Sequence, residues 1–493
     1  MNGFTRPIIG LAIVCASFFL TACGGGSSGP ATGDTQGTGQ VVVLITDGPT
    51  DQYEQVLITL TRMLLIGAGG QQVIYDGDPI TFDLLKLRNR ADFAFSQRIT
   101  EGDYSKIRLE ISEVRLIDLG DLADPNDDVE EILDDLPANG KIDLNPQGPF
   151  TVTAGETTVI SLDIDARRSF QVVQTGNQRL KLRPVIFVDI FQDDIVLPNR
   201  LIRAFGRVES IDEGAESLLL CDLQFVAALG APVAANNTCV RVFAGGANHF
   251  GADGLAIDFA ALADVIAASE TPQLTVIGLP SLPGDGAPDN VILDLDSVVS
   301  QLGGRKTDVG PGWETTDGLI QGAPTPTDCD TAQCTEFLPD DTDTPITIQL
   351  QAETRVFARD GTELDQADLV AGTLGGFDGL RVPAGGAAAL RASLFIVGAT
   401  PGGDLVSGTL TAVSVGNDFD ILTLQPESGD PVAVCITAET DVLRILVDGE
   451  SVSISDLLDP AVLDVSTDLQ IDAAGEASAT PGCDIDATVV IIE

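Results

Sequence analysis

The chain has 493 residues, of which 74 are acidic and 26 basic, for a formal net charge of −48. Such a surface repels phosphate backbones, which excludes nucleic acid as a partner, and it is pushed away from anionic lipid. Hydrophobic content of 44% supplies packed cores, yet no stretch beyond residue 22 reaches the roughly 18 apolar residues of a membrane-spanning helix.

At the N-terminus, residues 1–22 carry Arg6, then the apolar run Ile8 to Leu20, then small residues, which is the plan of a secretory signal. The run is 13 residues long, too short to span a bilayer. It ends in Leu20-Thr21-Ala22-Cys23, which resembles the lipobox of bacterial lipoproteins. The resemblance implies cleavage before Cys23, diacylglycerol on its sulfur and an acyl chain, commonly palmitate, on its new amino group. Gly24 is not the Asp that retains lipoproteins at the inner membrane, so the resemblance implies the outer membrane in a Gram-negative source. Residues 23–39 lack large apolar side chains and read as a flexible tether.

Residues 40–193 alternate with period two, the signature of half-buried strands. Val56, Ile58 and Leu60 oppose Leu57, Thr59 and Thr61; Ile160, Leu162 and Ile164 oppose Ser161, Asp163 and Asp165. Ile107, Leu109 and Ile111 share a face, and the phase slips at Ser112-Glu113 before Val114 and Leu116 resume it, which predicts a β-bulge. About eight strands with little helical periodicity predict a two-sheet sandwich. VVVLITDGP, ITEGDYSKIRLEI, TTVISLDID and LKLRPVIFVDI resemble an uncharacterised domain found near the N-terminus of bacterial lipoproteins. That resemblance implies a transthyretin-like or immunoglobulin-like β-sandwich and no assigned activity.

The remainder repeats, as residues 203–302, 303–399 and 404–493. Asp253-Gly254, Asp360-Gly361 and Asp448-Gly449 each precede, nine residues on from the Asp, a leucine (Leu262, Leu369, Leu457) placed in a turn. A Gly-led strand precedes each turn and a longer strand pair follows it. Units of this size exceed solenoid repeats and predict three tandem small domains. The plan is similar to a second uncharacterised bacterial family of small OB-like β-barrels. The predicted whole is all-β, an N-terminal sandwich followed by three small barrel-like domains. An OB-like barrel ordinarily raises nucleic-acid or oligosaccharide binding; the acidic surface removes the first, and fold alone does not establish the second.

Six cysteines remain after the signal and the lipid site: Cys221 and Cys239, Cys329 and Cys334, Cys435 and Cys483. An even number in an oxidising compartment favours disulfides over metal, and pairing is expected within each repeat. The only histidine, His249, reads as a surface or turn residue, and no zinc site is expected.

Asp118 to Asp135 holds nine carboxylates and no base. Asp124, Asn126 and Asp128 have the early spacing of an EF-hand calcium loop, but Val129 stands where the loop needs Gly and Asp135 replaces the closing Glu. The stretch therefore reads as a solvated insertion, with calcium as the alternative. No serine elbow, zinc-protease motif or phosphate loop occurs. Trp313 and three tyrosines are few aromatics for a sugar-binding face. The expected role is a non-enzymatic, cofactor-free binding or structural module, lipid-anchored in the cell envelope. The alternatives are a calcium-dependent adhesin or glycan-binding protein, and a hydrolase with an unrecognised carboxylate pair.

Overall fold

The computed structural model describes residues 37–492 apart from short stretches, the longest being 119–128, 323–332 and 452–468. The signal, Cys23 and most of the tether lie outside the described residues.

One sheet of the N-terminal sandwich runs in the order Ile186–Phe191, Thr157–Ile164, Thr38–Asp47, Ala91–Thr100. Thr38–Asp47 is parallel to Thr157–Ile164 and antiparallel to Ala91–Thr100. The facing sheet centres on Gln55–Gly67, paired with Gly70–Asp83 on one side and Gly102–Asp118 on the other. Period-two alternation places Ile107, Leu109 and Ile111 in the same core as Val56, Ile58 and Leu60. Thr59 pairs with Glu113 and Leu60 with Ile111, which leaves Ser112 as the extra residue of the predicted bulge. The bulge returns Val114 and Leu116 to the core face. Short strands Val129–Ile132, Lys141–Leu144 and Phe150–Val152 complete the sheet, so twelve strands precede residue 192 where the alternation suggested about eight. Between the sheets lies a cavity of about 20 Å³, lined by residues such as Ile45, Met63 and Phe95. That is room for one water at most, so this interior is packed core.

Beyond the sandwich, three further groups of strands close on themselves in one pairing order. In the first, the strands are Ile202–Asp212, Ser217–Gln224, Cys239–Phe243, Gln273–Ser281 and Val291–Leu302. First pairs with second, second with third, third with fifth in parallel, fifth with fourth, and fourth with first. The same order closes Trp313–Ile320, Gln333–Pro339, Ile346–Ala358, Leu374–Arg381 and Ala388–Val397. It closes Asp404–Ser414, Asp420–Gln425, Val432–Ile436, Gln470–Ala477 and Ile485–Ile492 as well. Each is a five-stranded barrel, and closure leaves few free edges. Turns at Gly254 (φ +75°) and Gly361 (φ +84°) use the left-handed region that glycine enters freely, as the Asp-Gly spacing predicts.

Leu262 is not in a turn. It lies in the helix Phe259–Ala268, between the third and fourth strands of the first barrel, with Leu262, Ala263 and Ile266 buried on one face. Asp258 caps this helix by accepting a hydrogen bond from the Ala261 amide. In the second barrel the equivalent stretch is the single 3₁₀ turn Gln366–Asp368, after which Leu369 is buried.

The sandwich and the first two barrels are built into one another. Ile202 and Arg203 of the first barrel pair in parallel with Ala91 and Asp92, so the sandwich sheet runs on into the barrel. Ala228-Leu229 adds a short strand to the facing sheet, and Phe225 packs into the sandwich core against Phe82 and Phe95. Between the first and second barrels, Leu201, Phe250, Val299, Trp313, Phe357 and Leu394 share one apolar cluster. Trp313 is buried there and donates its indole N–H to the Leu302 carbonyl at 2.8 Å. The third barrel has a core of its own around Leu410, Leu422, Ile436 and Val490.

Candidate functional site

The densest chemistry among the described residues is a buried cluster of arginines and aspartates where the sandwich meets the first two barrels. Its centre is Asp378, on the fourth strand of the second barrel and fully buried. The carboxylate accepts from Arg90 of the sandwich at 3.0 Å, Arg203 of the first barrel at 3.4 Å and Arg305 of the following link at 2.6 Å. Gln301 Nε2 at 3.0 Å and the Thr315 hydroxyl at 2.9 Å complete its shell. Arg203 also donates to Asp92 at 2.8 Å, returning the network to the sandwich. Burial alone would raise the Asp378 pKa; Arg305, Arg90 and Arg203 overcome it and hold the carboxyl well below its usual range. Burial likewise lowers Arg305 to about 10 against the pull of Asp378.

Further bonds cross the same joint. Arg88 reaches Asp340 at 2.7 Å, Asn89 reaches Asp317 at 2.7 Å, and Arg359 of the second barrel donates to the Asp47 carbonyl at 2.9 Å. Burial raises the pKa of Asp317 and, well above the usual carboxylate value, that of Asp47. Among the described residues, the other carboxyls with raised values are Asp83 and Asp189. Asp165 and Asp163 add to the rise at Asp47, and Asp163 adds to that at Asp189.

A second feature is an open cleft of about 630 Å³ between the first and second barrels, lined by Gly246, Asn248, Gln333, Arg355, Glu363 and Gln366 among others. Both barrels fix its walls. Asn248 Nδ2 donates to the Glu353 carbonyl at 2.6 Å, and Arg355 Nη1 to the Gly246 carbonyl at 3.0 Å. Arg355 is also held by Glu363 through two contacts of 2.6 Å.

Residues 38–184 match the family described as Domain of unknown function (DUF4382). The match covers the sandwich from its first strand to just before its last and leaves the barrels unmatched. No curated protein matches the chain.

The residues singled out from the sequence fare unevenly. Disulfides join Cys221 to Cys239 across the second and third strands of the first barrel, and Cys435 to Cys483 in the third. Cys334 is also disulfide-bonded, while Cys329, its expected partner, lies outside the described residues. Cys435, Cys483 and Asp486 come close enough together to hold a metal, but the disulfide removes both sulfurs as ligands. The calcium candidates Asp124, Asn126 and Asp128 lie outside the described residues, as does Cys23.

His249 is corrected: it is a buried strand residue, not a surface or turn residue. Its ring packs on Phe259 at 5.3 Å, and burial lowers its pKa to about 4, with Asp258 pulling the other way. The sequence reading missed the joint altogether. Its one signal was the run Arg88-Asn89-Arg90-Ala91-Asp92 in an otherwise acidic chain.

Proposed function

We propose that this chain is an exported lipoprotein of the bacterial outer membrane, tethered through lipid on Cys23, whose body is a non-enzymatic scaffold and binding module. In this reading the sandwich carries three tandem copies of one OB-like unit, supported by the shared pairing order of the three barrels. The observation that carries the scaffold role is Asp378, where one buried carboxylate gathers guanidinium groups from the sandwich, the first barrel and the link to the second. Such a cluster, sealed from solvent and occupied by ion pairs between the units, leaves no room for a substrate. It holds three bodies in one orientation, which suits a protein that presents a surface at a set distance from a membrane. The tether supports this division of labour, because a flexible lipid-linked segment leaves orientation within the body to the body itself.

The lipid part of the proposal is tested by feeding an alkyne-bearing palmitate to a Gram-negative host producing the wild-type chain or Cys23→Ala. Label on the wild type that disappears in the variant is the expected result. An unlabelled wild type recovered in the soluble periplasm contradicts it. Nucleic acid remains excluded as a partner by charge.

A further inference from the structure

We propose that the cleft between the first and second barrels is a binding site for a neutral, hydroxyl-rich ligand, an oligosaccharide segment. This deepens the binding half of the function proposed above and rests on it. The first ground is architecture. A cleft of about 630 Å³ falls within the usual size of ligand sites, which favour the seams between domains. Its walls come from two barrels already locked by the shared apolar cluster and by the Asn248 and Arg355 bonds, so little ordering remains for a ligand to impose.

The second ground is an account of donors and acceptors. Gln366 Nε2 donates to the carbonyls of Gln351 at 2.8 Å and Thr354 at 2.6 Å, which uses both its hydrogens and fixes the amide, leaving Oε1 as an acceptor. Asn248 spends an amide hydrogen on the Glu353 carbonyl and likewise keeps its oxygen. The guanidinium of Arg355 is engaged by Glu363 and the Gly246 carbonyl. The cleft thus offers preoriented amide oxygens, together with the Asp365 carboxylate and the exposed Gln333 amide. Hydroxyl groups, which donate and accept, satisfy such a lining. Arg355 neutralises Glu363, so the one formal charge left on the lining is that of Asp365, whose carboxylate already accepts the Ala367 amide at 2.9 Å as the cap of the 3₁₀ turn. The lining holds no aromatic ring, so binding is weak and set by hydrogen bonds rather than by stacking.

The test is saturation-transfer NMR on the full-length protein in a sugar-free detergent, with maltohexaose, chitotetraose and spermidine as separate probes. The expected result is transfer to at least one oligosaccharide that falls at least about fivefold in Gln366→Ala. A second variant, Ala367→Trp, fills the cleft from an exposed position without removing a side-chain hydrogen bond, and it should abolish transfer at an unchanged melting temperature. Silence from both sugars at 10 mM, transfer to spermidine alone, or sugar transfer that survives Ala367→Trp would overturn the assignment. Lipidation of Cys23 and rigidity of the joint are read by other measurements, so failure here leaves the scaffold proposal standing.

Discussion

At the scale of single residues, Asp378 and His249 show opposite uses of burial. Asp378 is tolerated in the interior as an anion because three guanidinium groups, an amide and a hydroxyl surround it. Removing one partner of a buried ion pair leaves uncompensated charge and costs about 3–5 kcal/mol. Asp378→Asn leaves Arg90, Arg203 and Arg305 facing a neutral amide, so denaturant unfolding should show a loss of that size. A loss below about 1 kcal/mol would mean the cluster is hydrated and dispensable.

His249 is instead buried where desolvation outweighs the pull of Asp258, and its Nδ1 meets no hydrogen-bond partner among the described residues. The folded protein binds the proton with a pKa of about 4 against 6.5 for the free side chain. Above pH 6.5 both states are neutral there and the residue adds no pH dependence. As pH falls from 6.5 towards 4 the unfolded chain protonates first, and the wild type should lose up to about 3 kcal/mol. The difference in stability between wild type and His249→Gln should follow that window, whereas a flat difference would place the imidazole in solvent.

At the scale of elements, alternation made the strands legible because one face of each is buried. Even the bulge at Ser112 was readable, as a slip in the phase of Ile107 to Leu116. The helix Phe259–Ala268 was not. It sits in an alanine-rich stretch whose two larger anchors, Leu262 and Ile266, span one turn, too few for a periodicity to stand out. Asp258 before it was a capping signal that could have been used. Leu262→Ala should destabilise by about 2–5 kcal/mol because the side chain is fully buried, and the exposed Val265→Ala should change stability by less than about 0.5 kcal/mol. Thermal melts of the two variants check this directly, and equal effects would contradict the helix orientation.

At the scale of the whole molecule, the order of units was readable but their union was not. The three guanidinium donors of Asp378 lie 288, 175 and 73 positions away in sequence, and no local pattern joins residues at such separations. The same distance conceals the cleft, whose two walls are brought together only when the barrels dock. Composition carried part of the message, since basic residues are scarce in this chain and several arginines are placed inside rather than on the surface. Arg90, Arg203 and Arg305 pair with the buried Asp378, and the half-buried Arg241 pairs with the buried Asp294. The exterior is left to carboxylates, which favours solubility and keeps the body away from anionic lipid.

The central claim is that the sandwich and the second barrel hold one orientation through the buried joint. Spin labels at the exposed positions Val73 on the sandwich and Val370 on the second barrel, in protein carrying Cys23→Ser, report it by pulsed electron resonance. The predicted distance distribution is as narrow as that of a control pair within the sandwich, Val73 and Ile132, and it broadens in Asp378→Asn. A wild-type distribution much wider than the control, or one that Asp378→Asn leaves unchanged, would contradict the account.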